Sequence, residues 1–178
     1  MNIFHLDNNP ILAARMMLDK HVVKMTVEYA QLMSTAHRVL DGELYVDKTA
    51  NNRRIKRWRL SHQPMEEMLY KASHINHPSN IWVRESKSNY LWLYEHFKEC
   101  CKEYTRRYGK QHMTDIKLSD VLKSAPISIP DVGLTEFAQA MPDYCKSKDP
   151  VQAYRNYYIN EKKHFAKWKT EVPYWWAA

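Results

Sequence analysis

The sequence predicts an all-α protein, a mainly helical single domain over residues 1–178 with room for a small hairpin at 43–60. Three observations predict it. Only three glycines occur, Gly42, Gly109 and Gly133, too few for the many tight turns of an all-β chain. Apolar residues recur at helical spacing through long stretches without Gly or Pro. Asp and Asn stand beside proline at Asn9-Pro10 and Asp149-Pro150, where a cap and a first-turn proline begin a helix.

Taken in order, residues 2–6 form a short opening segment, and Asp7, Asn8 or Asn9 caps a first helix over about 10–18. The second helix runs from Asp19 to Leu40 and is closed by Asp41-Gly42. Residues 43–63 read either as two short strands, "ELYVD" and "RRIKRWRL", or as an extended basic loop. A short helix is expected from Met65 to Ser73. "HINHPSN" then opens the longest helix, from about Ser79 to Tyr108, ended by Gly109. One or two short helices follow between Thr114 and Ala125. "APISIPDVG" is irregular, Leu134 to Ala140 reads as a helical turn, and a last helix runs from Pro150 to about Trp168. The aromatic tail "TEVPYWWAA" packs or contacts something. No internal repeat or linker divides the chain.

A chain of 178 residues suffices for one domain with a real core. Net charge +7 and a pI near 9.2 suit a polyanionic partner, although they also serve solubility. Cys100, Cys101 and Cys145 make neither a disulfide framework nor a zinc spacing, which favours a reducing, cytoplasmic setting. No stretch is apolar enough to span a membrane, so no membrane partner is expected. "MNIFHLDNNP" lacks the basic start and apolar block of a signal peptide.

The candidate chemistry starts on the second helix. On a helical wheel His21, Lys24, Glu28, Gln31, Thr35 and Arg38 fall within an arc of about 100° on an otherwise apolar helix. That strip faces one opening, either plain solvent or a cleft with chemistry in it. Lys24 and Glu28, four apart, are placed to touch. The densest positive patch is Arg53, Arg54, Lys56, Arg57 and Arg59 around Trp58. It reads as a phosphate-contacting segment with a stacking ring, or as a flexible solvated loop. His77 precedes a helix start, where free backbone N–H groups favour an anion, and Arg84 follows within two turns. Arg155 stands among the tyrosines and lysines of the last helix. The nine histidines form no HExxH and no Cys/His ligand cluster, so neither a metal nor another cofactor is expected.

"LDKHVVKMTVE" resembles a pattern in the phage-type pyrimidine-dimer DNA glycosylases, also called endonuclease V of the phage kind. In them an Asp-x-His is followed, seven residues after the His, by the catalytic glutamate. Asp19, His21 and Glu28 match that spacing. "HPSNIWVRESKSNYLWLYEHFKECCKEYTRRYG" looks like the family's long helix with its preceding His, and "VPYWW" like its aromatic C-terminus. The resemblance implies attack by an amine on sugar C1′ of a damaged or modified nucleotide, a Schiff base, loss of the base and strand cleavage at the abasic site. Glu28 would stabilise the positive sugar and move protons, and His21 would orient the sugar or phosphate. The family's amine belongs to a small residue at position 2. Here that residue is Asn2, which leaves Met1 and Lys24 as the amines. The arginines that flank the family's glutamate are Val27 and Tyr29 here.

The leading expectation is therefore an enzyme: a DNA N-glycosylase on damaged or modified double-stranded DNA, with abasic-site lyase chemistry. Its catalytic residues would be Glu28, His21, Lys24 and Met1. Its nucleic-acid contacts would be Arg53, Arg54, Arg57, Trp58, His77, Arg84 and Arg155. It would act as a monomer or small oligomer, in the cytoplasm (the host's, if the chain is viral). The alternatives are a nucleotide- or base-processing enzyme on the same scaffold and a non-enzymatic nucleic-acid-binding or host-inhibiting protein.

Overall fold

The computed structural model describes residues 1–176. Seven α-helices and one two-stranded ribbon are assigned among them, the mainly helical class that the sequence predicts: α1 (Pro10–Arg15), α2 (Asp19–Asp41), β1 (Glu43–Lys48), β2 (Arg54–Arg59), α3 (Gln63–Met68), α4 (Pro78–Glu85), α5 (Lys87–Tyr108), α6 (Met113–Leu122) and α7 (Pro150–Glu161).

Helices α2 and α5 form the central pair. Helix α1 packs on α5, and α4 and α6 pack on both. Val22, Met25, Tyr29, Leu32, Met33 and Ala36 supply the α2 side of the core, at the spacing of one helical face. Tyr90, Leu93, Phe97 and Cys100 answer from α5. Each large apolar side chain so enclosed contributes about 1.5–3 kcal/mol. The opening segment is part of this core: Ile3 and Leu6 are fully buried and Phe4 nearly so. That threading brings the chain's first residue against α2.

Local chemistry sets the boundaries. Asn9 Oδ1 accepts from the Ile11 and Leu12 N–H groups at 2.9 and 3.2 Å, and Pro10 takes the first position of α1. Helix α2 ends against Gly42, where a β-carbon would collide with the Arg38 carbonyl, so β1 can leave the helix at once. Gly109 ends α5 at φ +68°, a left-handed cap that glycine adopts without strain. Residues 43–59 are the hairpin, antiparallel, with Glu43 opposite Arg59 and Lys48 opposite Arg54.

Five elements differ from expectation. The long helix expected from Ser79 to Tyr108 is two helices, α4 and α5, broken at Ser86 (φ −152°, ψ 146°). Ser86 is buried, and its hydroxyl caps Ser88 N–H at 3.3 Å. A serine that bonds the backbone locally ends a helix, and here it starts the next one. Residues 134–140 form no helical turn and no other regular element, because their groups are claimed from outside. Asn89 Oδ1 takes Thr135 N–H at 2.9 Å, and Phe137 stacks on His5 at 4.0 Å. Helix α7 stops at Glu161 rather than near Trp168, and a short 3-10 turn at Lys163–Phe165 follows. Helices α1 and α3 are likewise shorter than predicted, ending at Arg15 and Met68. The aromatic tail packs: Trp175 Nε1 donates to Met16 Sδ at 3.2 Å, and the Trp176 ring lies 4.8 Å from that of Trp168. Its last two residues, 177 and 178, lie outside the described residues.

Candidate active site

The polar strip of α2 does not face one opening. Thr35 and Arg38 are buried, at 0% and 3% exposure. Arg38 donates to the carbonyls of Trp58, Glu66, Leu69 and Tyr70 at 2.7–3.0 Å and to Glu66 Oε2 at 2.5 Å. Burial pushes the Glu66 carboxyl up, but hydrogen bonds from Leu60 N–H and Arg38 outweigh it and hold the group below the usual carboxylate range. This end of the helix clamps the ribbon and α3 to the body.

The other end opens into a pocket of about 260 Å³. It is lined by Met1, Asn2, His21, Lys24, Glu28 and His77, with Phe4, Met25, Ala140, Tyr157 and Lys162 completing the walls. The Met1 α-amine lies 3.3 Å from Glu28 Oε2, and Lys24 Nζ lies 3.2 Å from Glu28 Oε1. Oε2 is buried and accepts no hydrogen bond, so its attraction to the amine is ionic rather than directional. Lys24 is 67% exposed, whereas Glu28 is 15% exposed. Among the described residues, then, one carboxylate holds two amines, one enclosed and one in water.

Asn2 positions the Met1 amine. Its Nδ2 donates to Ala140 O at 2.7 Å, and its Oδ1 accepts from Tyr154 Oη at 2.9 Å and from Ile3 N–H at 3.0 Å. His21 is fixed as firmly. Its ring stacks on Phe4 at 4.3 Å, and Nδ1 shares a hydrogen bond with Tyr158 Oη at 2.7 Å. Burial, helped by the charges of Lys162 and Lys24, pulls its pKa down to about 3, so His21 is neutral at neutral pH. His77 caps α4, with Nδ1 accepting from Ser79 N–H at 3.2 Å. Burial and the nearby Met1 amine lower its pKa as well.

Of the sequence-predicted residues, Met1, His21, Lys24, Glu28 and His77 meet here. The others do not. Arg84 braces the loop before α4 through Ile75 O and Asn80 Oδ1, each at 2.7 Å. Arg155 donates to Leu6 O at 3.0 Å, sits 3.6 Å from Asp7 and lies over the rings of Tyr174 and Trp175. Arg53, Arg54, Arg57 and Trp58 are on or beside the ribbon, at the far end of α2. The sequence shows Tyr157 and Lys162 only as two of the tyrosines and lysines at the last helix. Lys162 Nζ in fact donates to Tyr157 Oη at 3.1 Å and lies 4.4 Å from the centre of its ring, inside the pocket wall. No spacing signals this, because α7 reaches the pocket from more than a hundred residues beyond Glu28.

No three His, Cys, Asp or Glu side chains converge as a metal site among the described residues, and no described helix is long and apolar enough to cross a membrane. No curated protein and no solved structure matches the chain. A family model described as pyrimidine dimer DNA glycosylase matches residues 1–117 of the 178. That span holds Met1, His21, Lys24, Glu28 and His77 together with the ribbon, while Ala140, Tyr157 and Lys162 lie beyond it. The chain belongs to the pyrimidine dimer DNA glycosylase family, a class of enzymes that act on DNA.

Proposed function

We propose that the protein excises a damaged or modified base from double-stranded DNA and then nicks the strand, using the Met1 α-amine as nucleophile. The observation that carries this is the enclosed amine 3.3 Å from a buried oxygen of Glu28. An attacking amine must be neutral. α-Amines as a class are less basic than lysine side chains, so an α-amine suits the nucleophile's part better. Lys24 also points its amine at Glu28, but from solvent.

The amine nitrogen bonds to C1′ as the C1′–base bond breaks, and the base leaves with the electron pair. Glu28 stabilises the positive sugar and takes the proton lost by the amine. The nitrogen lone pair then opens the sugar ring: the C1′–O4′ bond breaks with its electrons on O4′, which takes the proton from Glu28, and the resulting protonated imine makes the C2′ proton acidic. Its removal expels the 3′-phosphate with the C3′–O electrons, and water then releases the enzyme from the unsaturated aldehyde. Neutral His21, held by Phe4 and Tyr158, orients the sugar. Val27 and Tyr29 stand where the family's arginines flank its glutamate, and Lys24 and Lys162 bring positive charge to the pocket in their place. The pyrimidine dimer of the family's name is the first lesion to assay.

Borohydride trapping on a duplex with an abasic site tests this, followed by peptide mapping. The expected result is an adduct on Met1. An adduct on Lys24 transfers the role to the lysine. No adduct from folded, DNA-bound protein eliminates the imine route.

A further inference from the structure

The ribbon has two unlike faces. Side chains alternate across a strand, and the register sorts them. One face carries Glu43, Tyr45, Asp47, Ile55, Arg57 and Arg59; the other carries Leu44, Val46, Lys48, Arg54, Lys56 and Trp58. The first is half-closed. Tyr45, Asp47, Ile55 and Arg57 are half-buried, Arg57 Nε is buried, and the Arg59 guanidinium lies 4.9 Å over the Tyr45 ring. The second is open. Leu44 and Val46 are 51% and 55% exposed, Lys48, Arg54 and Lys56 are exposed, and Trp58 is half-buried. Both carboxylates of the ribbon, Glu43 and Asp47, lie on the half-closed face. The open face is thus an apolar centre with three cations and no acid, and Arg53 stands in the adjoining turn.

We propose that this open face seats in a groove of duplex DNA, with Lys48, Arg54 and Lys56 on phosphates and Leu44, Val46 and Trp58 against sugars and bases. The charge argues for this occupant, because a surface that segregates all its acids to the other side fits a polyanion. The shape does too, since the major groove admits a two-stranded ribbon and presents thymine methyl groups to apolar side chains. The ribbon is also stiffly mounted: Arg38, buried on α2, holds the Trp58 carbonyl at 3.0 Å. From Glu28 to Gly42 the helix advances about 21 Å. A duplex lying along α2 would therefore meet the ribbon about six base pairs from the extruded nucleotide. This proposal rests on the reading of the chain as a duplex-DNA enzyme, and it revises the DNA-contacting set by adding Lys48 and Lys56 and releasing Arg57.

The test compares the full chain with the triple variant Lys48→Ala/Arg54→Ala/Lys56→Ala and, as a control on the other face, Arg59→Ala. Binding to a duplex carrying a stable abasic-site analogue is measured by anisotropy over a salt series, with the urea midpoint confirming the fold. The triple variant is expected to bind more weakly and to reduce the salt slope by about 2–3, while Arg59→Ala keeps the wild-type slope. Shortening one duplex arm below about six base pairs should abolish the difference between wild type and triple variant. Shortening the other arm should not. Borohydride trapping at saturating enzyme should be unchanged, since the pocket is untouched. An unchanged slope overturns the proposal and assigns the face to another acidic partner. A defect that survives both shortened arms also overturns it. In either case normal trapping leaves the active-site reading standing. A wild-type protein that binds no duplex overturns both.

Discussion

The two ends of α2 carry similar polar residues and meet opposite fates. Near its start, Lys24 and Glu28 sit at the rim of a pocket, and the glutamate is shared between a lysine and the Met1 amine. Near its end, Thr35 and Arg38 are buried, and Arg38 has every nitrogen hydrogen-bonded. The first arrangement leaves an oxygen of Glu28 without a hydrogen bond, whereas the second joins Arg38 to four carbonyls and a carboxylate. Unfinished bonding in an enclosed pocket suits a reaction, while finished bonding suits a joint.

Substitutions at each end should separate these roles. Glu28→Gln is expected to lower turnover about a hundred- to ten-thousand-fold while binding of abasic duplex persists. Single-turnover kinetics beside a binding isotherm decide it, and equal loss of both would erase the contrast. Arg38→Met should do the reverse. It strands the Glu66 carboxylate and several carbonyls, and a loss of about 3–5 kcal/mol is expected in urea unfolding.

Acid should sharpen the comparison through the buried imidazoles, His21 of the pocket wall among them. Burial holds His21 and His96 neutral, with pKa values lowered to about 3 and about 4, and lowers His5 and His37 too. Above pH 6.5 these imidazoles are neutral folded or unfolded, so they cost nothing. Between 6.5 and about 3–4 the unfolded chain binds protons that the fold refuses, so stability falls with falling pH and levels off below that window. The summed loss should be several kcal/mol, on the order of the linkage of 1.36 kcal/mol per unit. Thermal melts from pH 8 to 4 measure it, and a flat profile would contradict the burial of these rings.

The smallest effect belongs to Lys24→Met. Its amine is mostly in water, so the ion pair is worth less than about 1 kcal/mol. The borohydride adduct should survive this substitution, and its disappearance would make Lys24 the nucleophile.

Much of this was legible in the chain. Periodicity and the Asn9-Pro10 and Asp149-Pro150 pairs located helices α1, α2 and α7, and of the two readings of 43–63 the pair of short strands is the one present. The break at Ser86 was not legible, because a serine inside an apolar periodic run is neutral until its hydroxyl takes a backbone partner. The polar strip was visible as a pattern, but a helical wheel carries no information on what stands opposite each position. Lys162 and Tyr157 escaped notice for the same reason.

By itself the sequence determined the helical class, the Asp19, His21 and Glu28 spacing, and the basic character of residues 53–59. These depend on local periodicity and composition, which neighbours along the chain specify. Only the tertiary structure decided that Met1 meets Glu28, that Arg38 is buried, that Arg84 and Arg155 serve as braces, and that α7 closes the pocket. Those outcomes depend on which distant segments bury their apolar faces together. Burial of that kind is non-directional and leaves no local spacing to read.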